Sequence, residues 1–129
     1  AAPLEALADV TIAAVVGPEV IAGSTRLKAG TAQKMVLNML STGVMVRLGK
    51  TYSNLMVDVR ATNAKLRTRA RRIVAQACGM GEDEAGKILG VCDGEVKTAI
   101  VAVLKGVTPD VARQQLADHG GRVREALRS

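Results

Sequence analysis

The run Val10-Thr11-Ile12-Ala13-Ala14-Val15-Val16 constrains the fold of this 129-residue chain more than any other segment. A near-continuous apolar stretch of this kind is the pattern of a strand buried on both faces of a sheet, and such a strand needs neighbours on either side. No second run of the type follows, apart from the ambiguous Leu55-Met56-Val57-Asp58-Val59. The sheet for which Val10 to Val16 is written is therefore expected to lie outside this chain. The chain also opens Ala1-Ala2-Pro3 without an initiator Met, so the expectation is the C-terminal piece of a longer α/β protein.

What remains must fold largely as helices with an unusual core. Tyr52 is the only aromatic residue, so the interior has to be built from Ala, Val, Leu, Ile and Met, with helices approaching closely through small side chains. Hydrophobic residues make up 48% of the chain, which excludes a disordered segment. The richest apolar stretch, Met35 to Val46, is interrupted by Asn38, Ser41, Thr42 and Gly43, so neither a membrane span nor a signal peptide is expected. Cys78 and Cys92 show neither CxxC spacing nor a nearby His cluster, which points away from a metal site or a disulfide framework and toward a reduced, cytoplasmic setting. The net charge of +6 is uneven: residues 1–72 carry 11 basic and 4 acidic side chains, residues 73–129 carry 7 and 8. An anion-binding surface is thus expected in the first part.

From Gly23 onward the spacing is helical. Ser24 is the expected N-cap of a helix reaching about Arg47, in which Met35, Val36, Leu37, Met39, Leu40, Val44, Met45 and Val46 cover more than one face, so this helix should be largely buried. A second helix, capped at Thr62 or Asn63, carries Leu66, Ala70, Ile73, Val74 and Ala77 on one stripe and a strongly basic face elsewhere. The remainder contains a repeat. A shift of 27 positions places Asp83, Ala85, Leu89, Gly94, Val96 and Ala99 on Asp110, Ala112, Leu116, Gly121, Val123 and Ala126. Each copy reads as helix, Gly-containing turn and helix: 82–91 then 94–105, and 109–118 then 121–128. In the first copy Val96, Ala99, Ile100, Val103 and Leu104 form the stripe; in the second, Thr108 caps and Pro109 takes the first helical position.

The segment Gly17 to Lys34 holds the candidate site residues Glu19, Ser24, Thr25, Arg26, Lys28, Thr31 and Lys34. Backbone N–H groups at a helix N-terminus, aided by the helix dipole, favour anions such as sugar phosphates. An ordinary capped helix with solvated cations is the competing reading, and residues two apart such as Arg26 and Lys28 face different sides. Glu19, the only carboxylate of the segment, either touches a substrate or bonds backbone N–H groups where the loop meets the helix.

Gly17-Pro18-Glu19 followed by Gly23-Ser24-Thr25-Arg26-Leu27-Lys28-Ala29-Gly30-Thr31 resembles the signature of the family that contains the bacterial N-acetylmuramic acid 6-phosphate etherases and the animal glucokinase regulatory protein, the etherases being nearer. The resemblance continues through Val36 to Gly43, Asn54 to Val59, Ala61 to Leu66 and Lys97-Thr98-Ala99-Ile100. It implies a mainly α chain: the last strand and helix of an α/β sugar-phosphate isomerase (SIS) domain, followed by a C-terminal helical bundle with hairpins like those of ubiquitin-associated (UBA) domains. The implied divisions are 1–50 for the end of the SIS domain, 51–80 for a connecting segment with the basic helix, and 81–129 for the bundle.

The implied activity of the parent is that of a lyase. It removes the D-lactyl ether of N-acetylmuramic acid 6-phosphate by elimination of lactate and addition of water, leaving N-acetylglucosamine 6-phosphate, a step of cell-wall amino-sugar recycling. No metal or organic cofactor is implied. The base and acid that this chemistry needs are, in the family, glutamates upstream of this chain, so no catalytic residue is assigned here and the chain alone is expected to be inactive. The implied partners are a sugar-phosphate substrate and further copies in a homodimer or higher homo-oligomer, with no nucleic acid and no membrane.

Other features read more plainly. His119, beside Gly120-Gly121, is expected to cap a helix end, and the cysteines to be small core residues. The basic cluster Arg60 to Arg72 is expected to be a solvated face, a contact to nucleic-acid phosphates being the alternative. Against the enzyme part stands a second function class, a sugar-phosphate-binding regulatory or protein-interaction module.

Overall fold

The computed structural model describes residues 3–129 and divides into two compact units, one ending at Gly43 and the other Val44–Ser129. The architecture is mainly α. In the first unit a 3-10 turn, Pro3–Leu7, leads into irregular chain and then into helix α1, Lys28–Arg47, whose residues from Val44 on belong to the second unit. Val10 to Val16 forms no strand: a lone strand leaves its N–H and C=O groups unpaired, and among the described residues no second strand lies beside it. Ile12 and Val15 are exposed as a result. Helix α1 also departs from expectation, since it begins at Lys28 rather than just after Ser24 and buries none of its residues. Its apolar positions Met35, Leu37, Met39, Leu40 and Val44 are exposed, because their spacing calls for cover that the described residues do not supply.

The second unit has a real core. A short hairpin, β1 Thr51–Tyr52 with β2 Leu55–Met56, pairs antiparallel in the register Thr51↔Met56 and Tyr52↔Leu55. Ahead of it Gly49 has a positive φ of 67°, and a Cβ there would meet the Arg122 Cγ at 2.5 Å, so the tight approach admits only glycine. Arg122 also donates from Nη2 to the Arg47 carbonyl, which α1 leaves unpaired at its end.

Helix α2, Ala64–Cys78, starts where Asn63 Oδ1 accepts from the Leu66 N–H at 2.9 Å and stops at Gly79 in the left-handed region. It buries Ala70, Ile73, Val74 and Ala75, close to the stripe read from spacing. Helices α3 (Glu82–Val91), α4 (Val96–Lys105), α5 (Pro109–Asp118) and α6 (Val123–Ala126) follow. α4 lies at the centre, packed against α2, α3, α5 and α6. That position corrects the one-sided stripe expected for it: Thr98, Val101 and Ala102 are buried as well, while Leu104 is exposed. A helix covered on several sides needs more than one apolar face.

The 27-residue repeat is structural. Ala85 and Ala112 are both 0% exposed, Leu89 and Leu116 are 6% and 7%, Val96 and Val123 are 2% and 1%, and Ala99 and Ala126 are both 0%. The turns match too. Gly94 and Gly121 take φ of 77° and 73°, each preceded by a second left-handed residue, Asp93 and Gly120. Each glycine N–H closes on the leucine carbonyl of its own copy, Gly94 on Leu89 at 2.7 Å and Gly121 on Leu116 at 2.6 Å. The second helix of each copy starts later than the spacing suggests, at Val96 and Val123, because these two left-handed residues cannot be helical.

Candidate functional site

The residues singled out from sequence lie around the start of α1, in the first unit. Glu19 takes the capping role: Oε2 accepts from the Lys28 N–H and Oε1 from the Ala29 N–H, both at 2.9 Å. These two backbone hydrogen bonds hold its carboxyl below the ordinary carboxylate range. Ser24, expected as the cap, instead belongs to a turn in which its N–H bonds the Ile21 carbonyl and its own carbonyl accepts from Leu27 N–H. Thr31 turns its hydroxyl back onto the Leu27 carbonyl at 2.8 Å. Arg26, Lys28 and Lys34 are exposed. Of these residues only Thr25 lines the hollow of about 350 Å³ on this unit, together with Ile12, Ala14, Ala29, Gly30, Gln33, Val36 and Leu37. The α1 N-terminus is thus already satisfied by an internal anion.

A more polar cleft of about 680 Å³ lies in the second unit. Its lining includes Lys50, Asp58, Arg60, Glu95, Lys97, Thr98 and Arg113, and Val57, Val96 and Leu116 give it apolar walls. Asp58 stands between two ammonium groups: Oδ2 contacts Lys50 Nζ at 2.5 Å and Oδ1 contacts Lys97 Nζ at 3.2 Å. The Lys50 hydrogen bond lowers the Asp58 pKa most; burial opposes it, and the weaker Lys97 hydrogen bond adds to the lowering. Lys97 is the better sheltered lysine, its side chain 18% exposed against 36% for Lys50.

The opposite side of the cleft is fixed by Arg113. Its Nε donates to Glu95 Oε2 at 2.8 Å, Nη1 to Asp110 Oδ1 at 2.9 Å and Nη2 to Asp93 Oδ2 at 2.5 Å. One guanidinium of the second repeat copy thereby gathers the turn of the first. Glu95 also accepts from the hydroxyl of buried Thr98 at 2.8 Å, and the Arg113 and Thr98 bonds together lower its pKa. Four cations and two carboxylates line the cleft, a net positive charge into which the first turn of α4 also faces. Sequence reasoning missed this grouping. The only signal was that Asn54 to Val59 and Lys97 to Ile100 both carry the family resemblance.

The remaining readings hold in part. His119 ends α5, and its Nδ1 lies 2.8 Å from the Gln115 carbonyl. Cys92 is buried and Cys78 half-buried, and burial pushes both thiols up, away from thiolate chemistry. Arg67, Arg69, Arg71 and Arg72 are exposed on α2, with Arg72 reaching Glu82 at 3.2 Å.

Comparison with known proteins decides the kinship. The chain is 64% identical over 124 residues to the N-acetylmuramic acid 6-phosphate etherase of Rubrobacter xylanophilus, covering 96% of this chain and 40% of that protein. It is similar to the C-terminal part of these etherases. The etherase of Streptomyces avermitilis is 59% identical over 124 residues, and that of Rhodopirellula baltica 56% over 124 residues, again with 96% of this chain covered. The chain spans about two fifths of the length of the etherases it matches. No family model matches the chain. Among the described residues no helix is long and apolar enough to cross a membrane.

Proposed function

We propose that this chain is the C-terminal part of a cytoplasmic lyase that cleaves the D-lactyl ether of N-acetylmuramic acid 6-phosphate to N-acetylglucosamine 6-phosphate and lactate, and that by itself it is inactive. The observation that carries this reading is the etherase similarity, which runs through 96% of the chain at 64% identity. In this reading residues 1–50 complete a sugar-phosphate isomerase domain supplied by the rest of the parent, and residues 51–129 form a connecting helix and UBA-like hairpins. Glu19, Ser24, Thr25, Arg26, Lys28, Thr31 and Lys34 then belong to the substrate side of that domain or to its seam with a second copy.

The chemistry supports inactivity of the isolated chain. Elimination of lactate needs a base for the proton next to a carbonyl and an acid for the leaving oxygen. Hydrogen bonds lower the pKa of Glu19, Asp58 and Glu95, so each stays an unprotonated carboxylate with no proton to give the leaving oxygen, and each is a weak base. The test is lactate release from N-acetylmuramic acid 6-phosphate by the purified chain. None is expected, and turnover at the rate of an intact etherase would refute the reading. A regulatory or protein-interaction module that binds sugar phosphates is the second reading, favoured by the folded second unit with its cleft. Saturable binding of the sugar phosphate with no activity in any longer form of the protein would select it.

A further inference from the structure

We propose that the groove between α2 and α3 is a docking site for an acidic amphipathic helix of another protein. This goes beyond the lyase reading and does not depend on it. The groove has a volume of about 360 Å³, and its apolar floor includes Ala70 and Leu89 with Gly86 and Gly90 of α3. Arg67 and Arg71, one turn apart on α2, line it as well, and both are exposed. The Arg71 stem lies against α3, since a Cβ on Gly86 would meet its Cδ at 2.9 Å. Its methylenes therefore extend the apolar floor and leave the guanidinium for the rim.

Gly90 has no internal packing reason to be glycine. Within a helix glycine is less stable than alanine, yet a Cβ at this position would meet nothing within 4 Å. The repeat supplies the comparison: positions 86 and 90 correspond to Arg113 and Ala117, so the second copy carries side chains where the first keeps its groove open. Charge narrows the occupant. Asp93 at the groove is bonded to Arg113, and Arg72 to Glu82, whereas Arg67 and Arg71 form no ion pair among the described residues. An apolar floor beside unpaired cations is complementary to leucine-like side chains flanked by carboxylates. The backbone sets the form of the partner. α2 and α3 keep their N–H and C=O groups in their own helices, so the groove offers no strand edge, and an entering segment must satisfy its own backbone, as a helix does. A nucleic acid would use the arginines and leave the apolar floor unused.

The test is NMR titration of the 129-residue chain with a synthetic helical peptide that carries leucines at i, i+3, i+4 and i+7 and glutamates beside them. The matched probe has lysines in place of the glutamates. Saturable shifts of the Ala70, Leu89 and Gly90 amides are expected with the glutamate peptide alone, and the Val123 and Ala126 amides should not move. Gly90→Leu, which fills the groove, should raise the dissociation constant more than about ten-fold, and Arg67→Gln with Arg71→Gln about ten-fold. Gly90→Ala should weaken binding about three-fold while raising the urea midpoint, a pairing that a glycine needed for internal packing would not give, and it serves if Gly90→Leu does not fold. No shifts at the groove, or unchanged binding in the Gly90 variants, overturns the proposal. So does an equal response to the lysine peptide, or tighter binding of a single-stranded DNA oligonucleotide at the same amides. Shifts there on raising the chain's own concentration would give the groove to a second copy. Loss of the peptide response in the longer parent would give it to the rest of that protein, and either result overturns the proposal.

Discussion

Replacing Leu89 or Leu116 by Ala should destabilise the second unit to a similar extent, because the two leucines hold equivalent places in the repeat. Each is nearly sealed, at 6% and 7% exposure, and each accepts at its carbonyl the N–H of the glycine that turns its copy. Leu→Ala removes three carbons, about 2.4 kcal/mol at about 0.8 kcal/mol per buried methylene-sized group. The cavity left behind raises this toward about 4 kcal/mol, within the range of about 2 to 5 kcal/mol for such sites. Lys87→Ala and Gln114→Ala, on the exposed sides of the same helices, should change stability by less than about 0.5 kcal/mol, since the Gln114 bond to Asp118 is itself exposed. Urea unfolding followed by far-ultraviolet circular dichroism reads all four variants, and the midpoints compare directly if the slopes agree. Small and equal effects at the four positions would refute the argument. So would a large loss at Leu89 with none at Leu116, because the second copy would then be ornamental to the core.

Two further outcomes follow from exposed and charged surface. The chain should self-associate at about tens of micromolar, because Met35, Leu37, Met39, Leu40 and Val44 form more open apolar surface than monomers usually carry, and sedimentation showing a clean monomer would refute this. Stability should fall on the acid side: Asp58 and Glu95 have lowered folded pKa values, so their contribution is present above the ordinary carboxylate range and is lost as pH falls through the folded values. Thermal melts from pH 7 to pH 3 should fall less steeply in Asp58→Asn and Glu95→Gln than in the wild type, and identical slopes would count against the ion pairs.

The parts legible from sequence were those specified locally. Asn63, Thr108 and Pro109 mark helix starts through their own side chains and backbone, and the α2 stripe and the 27-residue repeat follow from spacing. What failed depended on partners far along the chain. Val10 to Val16 has the composition of a buried strand, yet a strand exists only where a neighbour pairs with it. The α1 start moved from Ser24 to Lys28 because the cap comes from Glu19, nine and ten residues before the amides it accepts from, rather than from the adjacent hydroxyl. Among the candidate residues Glu19 showed its bonding role, whereas the Lys50, Asp58 and Lys97 grouping stayed hidden. Ion pairs between separate elements leave no periodic trace.

The central claim, that this chain is a working part of an etherase, is tested most directly by a chimera. The matching 124 residues of the Rubrobacter xylanophilus etherase would be replaced by those of this chain, and lactate release from N-acetylmuramic acid 6-phosphate measured. The account predicts turnover within about ten-fold of the intact relative, a difference of about 1.4 kcal/mol in barrier, with none from this chain alone. A chimera that folds and shows no lactate release would contradict it.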